Sequence, residues 1–128
     1  MDKFQKMSDS EKEIMRFFWA EGDSVSSAKL LDDLKTINKD WKPNTLLTFL
    51  ARLVEKGIIT SVRHGRTNEY KPLITESEYS QFETRSFLNS AHDGSVKKLI
   101  ATLYEGDDIT MEEIKELQAW FAQRSEDK

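Results

Sequence analysis

A mainly α fold with one small β-hairpin is what this sequence predicts, and three observations carry that expectation. Capping-box patterns recur, S-D-S-E at residues 8–11, T-E-S-E at 75–78 and T-M-E-E at 110–113, each placing a hydroxyl and a carboxylate where they satisfy the orphan N–H groups of a helix start. Apolar residues recur at helical spacing over most of the chain. One stretch breaks that rhythm, residues 58–73, with β-branched residues ahead of a glycine turn.

The first helix should run from Ser8 to about Ala20, with Ile14, Phe17 and Phe18 inward and Gly22 ending it. Ser26 or Ser27 can cap a second, in which Leu30, Leu31 and Leu34 form an apolar stripe while Lys29, Asp32, Asp33 and Lys35 face water. It should fade near Ile37. Pro43 suits the first turn of a third helix, because its missing N–H would be unpaired there anyway. Along residues 43–56, Leu46, Leu47, Phe49, Leu50, Leu53 and Val54 fall on one arc, and Asn44, Thr45, Thr48, Arg52 and Lys56 on the other. Gly57 stops this helix. Strands follow over residues 58–63 and 69–73, with Gly65 at the turn between them. Three helices and then a two-stranded ribbon with an arginine on either side of its turn are the order of a winged helix-turn-helix.

From Thr75 on the chain reads as helical and acidic, with helices to about Asn89, from Asp93 or Ser95 to Tyr104, and from Thr110 to about Gln123. Its 54 residues cannot easily bury Tyr79, Phe82, Phe87, Leu88, Leu99, Ile100, Leu103, Ile114, Leu117, Trp120 and Phe121 on their own. A second copy of the chain is expected to cover them. Two domains are therefore expected, residues 1–74 as a winged helix-turn-helix and residues 75–128 as a helical dimerisation domain.

Composition narrows the function. With 38% hydrophobic and 33% charged residues the 128-residue chain reads as globular, and no apolar run approaches the roughly 18–20 residues of a membrane span. No signal-peptide core precedes the first helix, so a cytoplasmic location is expected, with no membrane partner. The absence of cysteine removes disulfides, thiol nucleophiles and thiolate metal sites, leaving His64 and His92 as the imidazoles. His92-Asp93 has no serine or cysteine motif to activate, and the carboxylates of residues 105–108 and 111–113 lack EF-hand spacing. Neither an enzyme nor a metal or cofactor site is expected.

Charge is divided. Residues 1–74 hold 13 Lys and Arg against 11 Asp and Glu, a net +2, whereas residues 75–128 hold 6 against 12, a net −6. Residues 35–71 alone carry 8 basic side chains against Asp40, Glu55 and Glu69, a local +5 in a chain of net −4. Such a patch sets the field that a polyanion meets. The polar face of the third helix is by itself an ordinary solvated surface. Its position third in order, after a turn containing Trp41 and before a basic hairpin, points to DNA. Asn44 can pair with adenine, the Thr45 and Thr48 methyls can meet thymine, and Arg52 can reach phosphate or guanine, with Lys42 beside them. Arg63, His64 and Arg66 would grip the backbone or minor groove as a wing. The competing reading, favoured by the sequence pI of about 5.3, is a winged-helix protein-interaction module without specific DNA binding.

The stretches M-S-D-S-E-K-E-I-M-R-F-F-W (7–19), D-W-K-P-N-T-L-L-T-F-L-A-R-L-V-E-K-G (40–57), H-G-R-T-N-E-Y (64–70), S-F-L-N (86–89) and E-E-I-K-E-L (112–117) resemble the penicillinase and methicillin-resistance repressors, the BlaI/MecI family, which includes the copper repressor CopY. The likeness runs in order along nearly the whole chain. It implies a winged-helix DNA-binding domain, a helical dimerisation domain, and a homodimer that blocks transcription from an inverted-repeat operator. In the β-lactam branch it further implies relief by a sensor-linked protease, commonly between Asn and Phe on the middle helix of the dimerisation domain. The corresponding positions here are Thr102 and Leu103, a departure from that pair. The cysteine-rich metal hook of the copper branch has no counterpart. Leu47 is another departure, standing where relatives often carry Lys, Arg or Gln; it either packs inward or meets a thymine methyl.

Overall fold

A computed structural model describes residues 4–126, the side chains of His64 and Glu126 apart. Helix α1 (Asp9–Glu21) starts at Ser8, whose hydroxyl accepts from Glu11 N while the Glu11 carboxylate accepts from Ser8 N at 2.7 Å. It ends at Gly22, which takes the left-handed φ of 75° that a side chain would resist. A two-residue strand, β1 (Val25–Ser26), leads into α2 (Ser27–Lys35), and the Ser26 hydroxyl caps that helix at Lys29 N. Helix α2 stops two residues before Ile37 in tight i→i−3 turns, after which Asn38 reverses the chain at φ 62°. Pro43 then opens α3 (Pro43–Glu55).

Strands β2 (Ile59–His64) and β3 (Thr67–Pro72) form the expected hairpin, and β1 adds to its free side, giving an antiparallel sheet of order β1-β3-β2. Val25 pairs with Tyr70 and Ser26 with Glu69. This third strand was not expected, because two residues are too few for an alternation pattern. Its value lies in packing: Val25 is buried, and the pairing pins the start of α2 to the sheet.

The core of this part comes from all three helices and the sheet. Ile14, Met15 and Phe18 of α1, Leu30 and Leu34 of α2, and Leu46, Leu50 and Leu53 of α3 have no exposed surface, and Ile58 and Ile59 close the floor. Each such side chain contributes about 1.5–3 kcal/mol of burial free energy. Two expected core residues of α3 lie outside it: Leu47 is 44% and Val54 40% exposed. Leu46, Leu50 and Leu53 fill the seam at i, i+4 and i+7, so the neighbours that flank this stripe are left at its margin. Phe17 and Leu31 are half-buried, whereas Met15 is fully buried.

The chain divides into two compact units, one up to Glu83 and one from Thr84 on. The division falls nine residues beyond the charge boundary at 74/75, because the first two turns of α4 (Glu76–His92) pack with the first unit. Tyr79 is 3% exposed, and its hydroxyl accepts from Met7 N at 2.7 Å. Phe82 sits edge-on to Phe4 at 4.9 Å, Lys12 pairs with Glu83, and the Trp19 indole donates to the Ile74 carbonyl at 3.0 Å. Tyr79, expected at a subunit interface, is thus covered within its own chain, and Phe82, expected there too, is half-buried within it.

The second unit consists of the rest of α4 with α5 (Val96–Glu105) and α6 (Met111–Glu126). Ser95 caps α5, and Thr110 with Glu113 forms the capping box of α6. Leu88, Leu99, Leu103, Ile109 and Ile114 are half-buried, but no described residue of α5 or α6 is fully buried. Phe87, Val96, Tyr104, Met111, Trp120 and Phe121 are exposed, as are Ile100 and Leu117. Among the described residues no helix is long and apolar enough to cross a membrane.

Candidate nucleic-acid interface

Helices α2 and α3, joined by residues 36–42, form a helix-turn-helix whose second helix presents the polar face read from the sequence. Lys42, Asn44, Thr45, Thr48 and Arg52 are all exposed. Lys42 is the N-cap residue of α3 and its side chain makes no cap bond; Pro43 has no N–H and the Thr45 N–H donates to the Lys42 carbonyl at 3.0 Å, which leaves the Asn44 N–H as the open donor of the first turn. The Thr48 hydroxyl donates to the Asn44 carbonyl at 3.0 Å. Its proton is engaged inside the helix, which leaves an acceptor oxygen and a methyl for an outside partner.

Sequence reasoning did not find what orients Arg52. The Trp41 ring, from the turn before α3, stacks on Phe49 with centroids 4.9 Å apart and planes at 24°. The Arg52 guanidinium lies 5.5 Å from the same Phe49 ring. Phe49 is therefore in contact with both Trp41 and Arg52, linking the turn to the charged edge of α3. The i, i+3 spacing of Phe49 and Arg52 was a signal for half of this contact; nothing in the spacing announced Trp41.

At the wing, His64 pairs with Thr67, so Gly65 and Arg66 make a two-residue turn. Gly65 has φ 63° at the first turn position, the placement of glycine in a type II′ turn. Arg63 Nε donates to the Gly65 carbonyl at 3.1 Å, which holds that guanidinium across the turn, whereas Arg66 is exposed at the tip. The expected role of the His64 side chain lies outside the described residues.

The eight cations of residues 35–71 do not share one task. Lys56, the C-cap of α3, donates to Glu11 Oε1 at 2.6 Å and to the Lys6 carbonyl at 3.0 Å. Lys39 lies 3.9 Å from Glu13. Lys35, Lys42, Arg52, Arg63, Arg66 and Lys71 remain as exposed cations. Burial works to raise the pKa of Glu11, but hydrogen bonds from Lys56 and from Ser8 outweigh it and hold the carboxyl below its ordinary value.

Other sequence-marked positions fall in the second unit. His92 packs edge-on to Phe87 at 5.5 Å, and Asp93 pairs with Lys98 at 2.8 Å. Thr102 is exposed and Leu103 half-buried in the second half of α5, with the Thr102 hydroxyl donating to the Lys98 carbonyl at 2.9 Å. The Arg124 guanidinium lies 3.7 Å from the Trp120 ring, which meets Phe121 edge-on at 4.9 Å.

Comparison with known proteins places this geometry. A family model described as penicillinase repressor matches residues 7–123. The penicillinase repressor of Bacillus licheniformis is 33% identical over 117 residues, covering 91% of this chain and 90% of that protein. The methicillin resistance regulatory protein MecI of Staphylococcus aureus (strain N315) is 27% identical over 117 residues, covering 91% and 94%. Among solved structures, the DNA-binding domain of the repressor BlaI matches with TM-score 0.52 and 34% identity, over 62% of this chain and 94% of that one. The monomeric form of Bacillus licheniformis BlaI in complex with the blaP half-operator matches with TM-score 0.51, the same identity and the same coverage. The chain belongs to the penicillinase repressor family, the BlaI/MecI repressors.

Proposed function

We propose that this chain is a homodimeric transcriptional repressor that binds an inverted-repeat operator through α3 and the wing. One observation carries the reading: the exposed face of Asn44, Thr45, Thr48 and Arg52 stands on the fold shared with the BlaI DNA-binding domain, beside a basic wing tip. In the major groove the Asn44 amide suits adenine, the two threonine methyls suit thymine, and Arg52 suits guanine or a phosphate. Lys42 and the Asn44 N–H would hold one phosphate, Arg63 and Arg66 others. Two copies joined through α5 and α6 would present two recognition helices, matching half-sites about 34–36 Å apart or a multiple of that. Occupying the operator would block transcription.

The Thr102–Leu103 peptide lies within hydrogen-bonded α5. Cleavage there by a sensor-linked protease would require that helix to unwind first, since proteases act on extended chain.

Titration of labelled upstream DNA at several salt concentrations tests the operator reading. Affinity should fall with a log–log slope of about −0.9 per neutralised phosphate. Arg66→Ala should weaken binding and flatten that slope by about one unit. Equal affinity for operator and random duplex would overturn it.

A further inference from the structure

We propose that Leu47 is a specificity-determining residue that reads the C5-methyl group of one thymine in each half-site; the inference rests on the operator-binding reading. Leu47 is the fifth residue of the 13-residue α3, and 44% of it is exposed. Its i−3 and i+4 neighbours are Asn44 and Ala51, both exposed, while Thr48 lies about 100° further round, within the polar face. A branched aliphatic group thus stands at the edge of the polar face, in the half of the helix whose side chains approach base edges in helix-turn-helix proteins. Val54 is exposed to a similar degree, but it lies in the last turn of α3, where such helices leave the groove.

The major groove has one apolar group to offer. Adenine, guanine and cytosine present hydrogen-bond donors and acceptors there, whereas thymine adds a methyl. Leucine has neither donor nor acceptor, so thymine is the base against which it loses least and gains most. Asn44 can meanwhile hold an adenine through its amide. The pair would read an adenine and a neighbouring thymine with two chemistries, one directional and one by burial. Burial of a methyl-sized group is worth about a fourfold change in affinity.

The test removes that methyl alone. An operator is first selected from random duplexes with the full-length protein, and each of its thymines is then replaced in turn by deoxyuridine. Binding is measured for the wild type, Leu47→Ala and Leu47→Met. The expected result is one thymine per half-site where deoxyuridine weakens the wild type by about fourfold but not Leu47→Ala, any thymine met by Thr45 or Thr48 keeping its penalty in all three proteins. Leu47→Ala should lose this discrimination and Leu47→Met should keep it. Uracil penalties of the same size in wild type and Leu47→Ala at every thymine, or no penalty anywhere, would overturn the inference while leaving the repressor reading intact. Failure to enrich any sequence would overturn both.

Discussion

Glu11 is 1% exposed, and the charge survives there because its own helix start and a distant lysine surround it. Its Oε1 accepts from Ser8 N at 2.7 Å and from Lys56 Nζ at 2.6 Å, while Oε2 is buried with no hydrogen-bond partner. The capping half of this arrangement was legible in S-D-S-E. The lysine half was not, because 45 residues separate the partners and no local pattern connects them. Since burial is outweighed and the folded carboxyl titrates below its ordinary value of 4.5, the linkage has a definite sign. The contribution is fully present above that value and is lost as pH falls through the lower folded one. Urea unfolding from pH 7 to pH 3 should show stability dropping in that acid window. Glu11→Gln should remove part of the drop and, by turning the charged bond to Lys56 into a neutral one, cost about 1–2 kcal/mol at pH 7. An unchanged acid slope in Glu11→Gln would show that this carboxyl does not carry it.

At the scale of the element, α3 shows what periodicity can and cannot say. The proline at its start and the Leu46, Leu50 and Leu53 seam were readable, because each depends on the helix's own geometry. How wide a stripe the core would cover was not, since that depends on α1, α2 and the sheet; Leu47 and Val54 were left outside for this reason. The short strand β1 and the Trp41 stack were hidden likewise, the one too brief for a pattern and the other outside any helix. The stack has a consequence for DNA binding. If the Phe49 face holds Arg52 toward DNA, Phe49→Leu should weaken operator binding about two- to fivefold, the worth of an exposed cation–π contact. A double-mutant cycle decides the route of that loss. In an Arg52→Ala background Phe49→Leu should cost almost nothing further, whereas fully additive losses would mean that Phe49 acts only through packing.

At the scale of the whole molecule, acid and base are allotted to different tasks. The part proposed to face DNA, residues 1–74, holds a net +2, while residues 75–128 hold a net −6 and would be repelled by phosphate. In the proposed homodimer such a segment would meet its second copy chiefly by apolar contact, and Trp120, Phe121, Leu117, Ile100 and Tyr104 give it exposed apolar surface to do so. The two associations should then respond to salt in opposite ways. Operator binding should collapse as salt rises, whereas dimerisation should hold or tighten as the acidic units are screened from each other. Light scattering of the full-length chain at micromolar concentration should give twice the 14.9 kDa chain mass at low and high salt alike. Phe121→Asp places a charge in the apolar surface and should weaken the dimer by at least about 2 kcal/mol, roughly thirtyfold in Kd. It should also weaken binding to the full inverted repeat more than binding to one half-site, because only the repeat needs two linked recognition helices. A wild-type chain that scatters as a monomer, or a Phe121→Asp chain that dimerises as well as wild type, would remove this face from the interface.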